Sequence, residues 1–132
     1  MMIRKTFECF VDGDVPSVNR KFIKGFVLAP EYRAWRDWVG IQTEAMLRRK
    51  GIFRFPYFPA GSFLSVHLIF YVRNKIWNID NAIKPTLDGM NKVVYHDDRD
   101  VWVLDRVAKK ISKEKKGVFV IVQEIEKDET DV

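Results

Sequence analysis

The sequence predicts a single α+β domain with a mixed β-sheet and two main helices, in the order strand, helix, strand, helix, strand, strand. Segments rich in β-branched and aromatic residues alternate with two segments of helical periodicity. The 132 residues suffice for one domain of ordinary size, and 47% of them are hydrophobic, so the chain can bury enough apolar surface to fold. We therefore treat residues 1–132 as one domain with an acidic C-terminal tail at about 124–132.

The first half of the chain contains a strand, a basic segment and a helix. "RKTFECFVDG" alternates in polarity and ends at Gly13, which predicts a strand. The next stretch, "DVPSVNRKFIKGFVLAP", combines prolines, a glycine and several basic residues, which indicates an extended segment. "PEYRAWRDWVGIQTEAMLRRKG" begins with Pro30, which suits a first helical turn, and closes at Gly51. Its apolar residues recur at helical spacing, so we predict a helix here.

The second half contains a strand, a helix and two further strands. "SFLSVHLIFYVRN" is enriched in aromatic and β-branched residues, which predicts a long strand. "IDNAIKPTLDGMNKVV" has apolar residues at helical intervals from Ile79 to Val94, which predicts a helix. Pro85 does not exclude it, since it falls within the first turn or two, where its missing N–H costs least. "VWVLDRVAKKIS" and "GVFVIVQEIE" flank the polar turn "KEKKG", and this pattern predicts a hairpin.

Charge and cysteine content limit the class of protein. The formal net charge is +5, and the last nine residues carry five acids and one base, so the rest of the chain is more basic than the total. This balance favours a polyanionic partner. The single cysteine, Cys9, excludes an intrachain disulfide and a multi-cysteine zinc site, and it is typical of a buried thiol in a reducing cytoplasm. No apolar run is long enough for a signal peptide or a membrane span.

Acidic residues are concentrated on and after the second predicted helix. Asp80, Lys84 and Asp88 are spaced i, i+4, i+8 and share one face, a pattern that alone is typical of a solvated stripe of weak ion pairs. Asp97 and Asp98 follow the helix, where a returning chain can direct a carboxylate toward it. Converging carboxylates repel unless a cation lies between them, and Mg²⁺ needs only two or three such ligands. The pattern therefore predicts a Mg²⁺ site suited to phosphodiester hydrolysis.

Several segments together carry a family resemblance. "PSVNR" after the first strand, "EYRAWRDWV" on a helix, and then "IDNAIKPTLDGMNK" and "HDD" before the last strands resemble the RusA-type Holliday-junction resolvases. The resemblance runs from about Pro16 to the last strand pair. It implies a RusA-like fold and a small bacterial or prophage-encoded homodimeric endonuclease of the cytoplasm. Such an enzyme makes paired cuts in branched DNA during recombination and repair, using Mg²⁺ with Mn²⁺ as a substitute.

The resemblance also implies roles for individual residues. The family's helix motif opens Asp-x-Asp-Asn, and its two Asp residues bind the metal together with one acid of a later pair. Carried over, Asp80 is the second Asp, Asp98 the later acid and Lys84 the motif lysine, while Asn78 stands at the first Asp. These four residues are the predicted catalytic group, with Asp80, Asp98 and Asn78 at the metal. Asp97 or Asp88 could replace the missing carboxylate.

Basic residues beside the motif form the predicted DNA-binding group: Arg20, Lys21, Lys24, Arg73 and Lys75. Basic side chains offset the repulsion between an acidic site and phosphate, and they make binding dependent on salt. For each residue alone, ordinary surface charge remains the alternative.

Two alternative functions remain at this stage. The first is a junction-binding protein with weak or lost cleavage, because Asn78 replaces a family acid. The second is an unrelated basic RNA-binding or assembly domain whose acidic stripe is only surface.

Overall fold

A four-stranded mixed sheet and two helices form the computed structural model, which describes residues 4–16, 22–23, 27–28, 30–74 and 78–127. The elements in chain order are β1 (Thr6–Asp12), β2 (Phe22–Ile23), β3 (Val27–Leu28), α1 (Pro30–Arg49), β4 (Leu64–Val72), α2 (Asp80–Gly89), a 3₁₀ helix (Asp98–Asp100), β5 (Val101–Ile111) and β6 (Gly117–Glu124). The predicted α+β class and the order of the main elements are confirmed. The short strands β2 and β3 pair separately within the basic segment.

The strand order in the main sheet is β1-β6-β4-β5. Strand β4 pairs with β5 in parallel and with β6 antiparallel, and β1 pairs with β6 antiparallel. The predicted hairpin of the last two strands is wrong, because β5 and β6 lie on opposite sides of β4. Strand β4 is apolar and largely buried, so it takes the interior position with a neighbour on each side.

Strand β5 lies at the edge of the sheet and has the features of a protected edge. Most of its residues are exposed or partly exposed, and it carries Arg106, Lys109 and Lys110. Its pairing with β4 is interrupted by two register shifts, one between Leu64 and Ser65 and one between Val66 and His67. Basic residues and irregular pairing both discourage further strand addition at an edge.

The helix α1 agrees closely with its prediction, whereas α2 is shorter than predicted. Helix α1 spans Pro30–Arg49, and Gly51 follows with a positive φ of 81°. Helix α2 ends at Gly89, and the predicted continuation to Val94 is wrong. The chain turns there because Lys92 adopts a φ of 70°, which no α-helix accommodates. Within the described residues, no helix is long and apolar enough to cross a membrane.

Both helices pack on the same face of the sheet and form one core with it. Trp35 and Val39 from α1 and Ala82 from α2 belong to the same buried cluster as the inward-facing residues of the strands. Cys9 lies in this core with 3% of its surface exposed and has a free thiol. Burial raises the pKa of this thiol to about 11, so the prediction of a buried, structural cysteine is confirmed.

Candidate active site

Helix α2 carries the acidic stripe that the sequence predicts. Asp80 is the first residue of the helix, and Lys84 and Asp88 follow at intervals of four, so the three side chains project from one side. Asp80 and Lys84 are exposed, while Asp88 is partly buried. The stripe therefore begins in solvent and ends against α1.

Close contact between the two helices fixes the C-terminal half of α2. A Cβ added at Gly89 would lie 2.5 Å from the backbone oxygen of Arg36 and 2.7 Å from Cβ of Val39, so only glycine fits this crossing. Nearby, the indole N–H of Trp35 donates to Oγ1 of Thr86 at 2.9 Å. These contacts set the position of α2, and hence of its acidic stripe, relative to α1.

The turn after α2 brings Asp98 back to the helix. The buried Tyr95 hydroxyl donates to the backbone oxygen of Leu87 at 2.6 Å and ties the turn to the end of α2. Asp97 then caps the 3₁₀ helix, its carboxylate accepting the backbone N–H of Arg99 at 3.0 Å. This hydrogen bond is the main reason that the pKa of Asp97 is lowered. Because the Asp97 carboxylate is used as a cap, the carboxylate that reaches α2 is that of Asp98.

Lys84 joins the two elements through its ammonium group. Its Nζ lies 2.5 Å from Oδ2 of Asp98 and 2.9 Å from Oδ1 of Asp88. Partial burial lowers the pKa of Lys84, but the hydrogen bonds to Asp98 and Asp88 outweigh this effect, and the net shift is upward. Lys84 is therefore a fixed positive charge between two carboxylates, one from α2 and one from the segment before β5.

Tyr32 is a site residue that the sequence analysis did not identify. It lies on α1, is 5% exposed, and its hydroxyl donates to Oδ2 of Asp88 at 2.5 Å. Burial and this hydrogen bond raise the pKa of Tyr32, so the hydroxyl stays protonated and remains a donor. Its helical spacing in the sequence indicated only a core position, since nothing local to Tyr32 marks a partner on another helix.

The predicted metal ligands are only partly brought together. Asn78 is exposed and lies two residues before α2, and the Asp80 carboxylate has no hydrogen bond or ion pair with any described residue. Over the described ranges, no group of three or more acidic, histidine or cysteine side chains is arranged to hold a metal. Two carboxylates do converge on a cation, Lys84, and this donor chemistry suits a hard divalent ion.

Of the predicted DNA-binding residues, Arg73 directly follows β4 and is exposed. Arg20, Lys21, Lys24 and Lys75 lie outside the residues that the structure describes. Their assignment to DNA binding stays a prediction.

Comparison with known families gives an independent result. The family model described as "Endodeoxyribonuclease RusA" matches residues 14–123, which include α1, α2, the 3₁₀ helix and the strands from β2 to β5. No curated protein matches the chain significantly. The family match covers most of the sequence and includes the acidic stripe, Lys84 and Asp98. The chain therefore belongs to the RusA endodeoxyribonuclease family, a family of Holliday-junction-resolving endonucleases.

Proposed function

We propose that this protein is a divalent-metal-dependent endonuclease that binds four-way DNA junctions as a homodimer in the bacterial cytoplasm and resolves them by paired phosphodiester cuts. The observation that carries the proposal is the meeting of Asp98 with α2 at Lys84, at a Nζ to Oδ2 distance of 2.5 Å. It joins the acidic stripe of α2 to the acidic segment before β5, across a separation of 14 residues. Family membership supplies the reaction class.

Each residue of the site has a role in this proposal. Asp80 and Asp98 would bind the metal, Mg²⁺ or Mn²⁺, and Asn78 would supply its amide oxygen as the third ligand. The bound ion would activate a water molecule and stabilise charge on the phosphodiester. Lys84 is held protonated beside the carboxylates, so it can offset phosphate charge or orient the attacking water. Asp88 acts as a positioning residue for Lys84.

The contacts around Asp97 and Asp88 support the choice of ligands. Asp97 uses its carboxylate as the cap of the 3₁₀ helix. Asp88 is fixed by Tyr32 and Lys84 on its two carboxylate oxygens. Asp80 is exposed, and Asp98 is the acid of the later pair whose carboxylate meets α2 at Lys84, so these two carboxylates are the proposed ligands.

Basic residues would hold the junction against this site. The five proposed contacts to DNA phosphate are Arg20, Lys21, Lys24, Arg73 and Lys75. The exposed Arg73 follows the strand that precedes α2, and the chain has a net charge of +5. Binding through such contacts should weaken steeply as salt is raised. Two symmetric cuts in one junction need two sites, which a two-fold dimer provides.

A cleavage assay with matched variants tests the proposal. The protein is incubated with a labelled four-way junction or a linear duplex of matched sequence, with Mg²⁺, Mn²⁺ or EDTA. We expect paired nicks in the junction alone, dependent on metal and abolished in Asp80→Asn and Asp98→Asn. Asp37→Asn, which removes an exposed carboxylate elsewhere on α1, is the matched control and should cleave normally.

A specific observation favours a second candidate, a junction-binding protein without cleavage. Asn78 carries no charge at the position where the family motif has an acid, and it is exposed rather than used in folding. In the same assay, a parent protein that binds the junction but does not cut it, together with an active Asn78→Asp variant, would establish this function. Equal binding of the junction and the duplex would contradict both candidates.

A further inference from the structure

The sheet has one face that no described helix covers. Helices α1 and α2 both contribute to the core on the other face. We call the uncovered side the open sheet face. It consists of the outward-facing residues of β1, β6, β4 and β5, which are paired across the sheet in register.

The registers divide the open sheet face into rows that run across all four strands. Residues directly opposite on paired strands share a face, so each row follows from the pairing. In the order β1, β6, β4, β5, three consecutive rows are Asp12, Gly117, Tyr71, Lys110; then Phe10, Phe119, Ile69, Ala108; then Glu8, Ile121, His67, Arg106. The middle row is entirely apolar, and each flanking row has an acid at its β1 end and a base at its β5 end.

The four charges at the ends of the flanking rows have no ion-pair partner within the described chain. Glu8 and Asp12 on β1 are exposed, as are Arg106 and Lys110 on β5. The acids and bases lie on opposite edges of the sheet, three strands apart, and strands are spaced about 4.8 Å. They are therefore too far apart to pair within one molecule. Asp105, also on β5, pairs with His67, so the charges without an ion-pair partner in these rows are two acids on the β1 edge and two bases on the β5 edge.

These charges select one symmetric packing of two open sheet faces. A two-fold axis parallel to the strands keeps each row level and reverses the strand order, so that β1 lies over β5 of the second copy. Glu8 then faces Arg106 and Asp12 faces Lys110 of the second copy, each pair occurring twice, while the apolar rows pack together. An axis across the strands would instead put acid on acid and base on base. Aligned packing of two sheets is a common arrangement.

We propose that the open sheet face is the dimer interface and that its occupant is a second copy of this chain. In this dimer, β1 of each copy lies over β5 of the other. The inference rests on the homodimer of the proposed function and specifies the surface. It also fits the position of the candidate site. Asp98 lies just before β5, and an axis parallel to the strands puts both copies of this segment at the same end of the dimer, where one junction can reach both.

Charge reversal tests the pairing without altering the core. The molecular mass of the full chain is measured by sedimentation equilibrium over a concentration series, without DNA or metal. The parent should be a dimer. Glu8→Arg and Arg106→Glu should each weaken the dimer by about 10- to 100-fold, because each puts like charges opposite one another twice. A one-to-one mixture of the two variants should restore dimers, as should the double variant, since opposite charges face one another again.

Matched controls carry the same charge changes on the helical side. Glu31→Arg and Arg33→Glu, at exposed positions of α1, should leave the dimer unchanged. A monomeric parent, a Glu8→Arg variant as dimeric as the parent, or a mixture that fails to restore dimers would overturn the inference. A parent that dimerises through another surface would leave Glu8→Arg dimeric and still cleave junctions, so the interface would fail while the nuclease stood. If the charge variants behave as expected but the parent does not cleave junctions, the interface would stand and the nuclease function would fail.

Discussion

The two ends of helix α2 are held very differently. At the C-terminal end, Thr86 and Gly89 are buried, and Asp88 is bound by side chains from two directions. At the N-terminal end, Ile79 occupies the capping position without a side-chain hydrogen bond, and Asp80 is exposed. The same helix thus contains a rigid half, set by packing against α1, and a half whose side chains interact with solvent.

Under the proposed function, this difference separates the residues that stabilise the fold from those that act in cleavage, within one helix. Substitutions in the C-terminal half should lower the free energy of unfolding. They should also disturb the position of Lys84, because this half of the helix is held by packing against α1. Substitutions at the N-terminal end should leave the free energy of unfolding almost unchanged while altering cleavage. The four predictions below test this division, from the largest expected change in stability to the smallest.

Gly89→Ala should have the largest effect. The new Cβ would lie 2.5 Å from the backbone oxygen of Arg36, so the helices must separate, and we expect a loss of about 3 kcal/mol in the free energy of unfolding. Chemical denaturation measures this loss. Gly40→Ala gives the comparison: its Cβ would lie 3.1 Å from the backbone oxygen of Gly89, a tight contact but a milder one, and alanine favours the helix, so its loss should be smaller. Equal stability of Gly89→Ala and the parent would refute the close crossing.

Thr86→Val should cost about 2 kcal/mol. Valine keeps the shape but leaves the buried indole N–H of Trp35 without its acceptor at 2.9 Å. Urea denaturation of Thr86→Val and of Thr86→Ser gives the comparison, since serine retains the hydroxyl. The hydrogen bond is unimportant if valine proves no worse than serine.

Tyr32→Phe should lower the free energy of unfolding by about 1.5 kcal/mol, because it removes a hydrogen bond to the charged Asp88. A double-mutant cycle with Asp88→Asn isolates this interaction. We expect the two substitutions to be clearly non-additive. Additive losses would mean that Tyr32 stabilises the protein only by packing.

Asp80→Asn should change the free energy of unfolding by no more than about 0.5 kcal/mol, because the side chain is exposed. Junction cleavage should nevertheless fall by about 100-fold or more. Loss of a residue that only hydrogen-bonds to a metal ligand already lowers metal affinity or activity by about 10- to 100-fold, and Asp80 is a proposed ligand itself. Denaturation and single-turnover cleavage of the same preparation give both numbers. A large loss of stability would show that the two halves of α2 are not separable.

The sequence predicted the helices and strands better than it predicted which strands pair in the sheet. Periodicity identified α1 and β4 because each has a long and consistent apolar pattern. It could not predict that β6 inserts between β1 and β4, since a polar turn between two strands is equally compatible with a hairpin and with a crossover. It also extended α2 too far. Met90 and Val94 are buried, but they lie in the turn after the helix, at positions that imitate helical spacing.

The candidate site shows the same limit. The spacing of Asp80, Lys84 and Asp88 follows from helix geometry and was predictable. The direction of the Asp98 side chain toward Lys84 depends on the cap formed by Asp97, and resemblance to the family, rather than spacing, selected Asp98 in advance. Tyr32 was not predictable, because its hydrogen bond to Asp88 joins two helices that only the folded chain brings together.

The interior position of β6 has a consequence for the synthesis of the protein. Among the strands of the described residues β6 is the last, yet it joins β1, the first of them, to β4. Until β6 has left the ribosome, β1 has no partner and β4 lacks one of its two, and pairing between opposite ends of a chain is slow to form. A nascent or prematurely terminated chain therefore cannot complete the sheet, and we expect it to depend on chaperones or to be degraded.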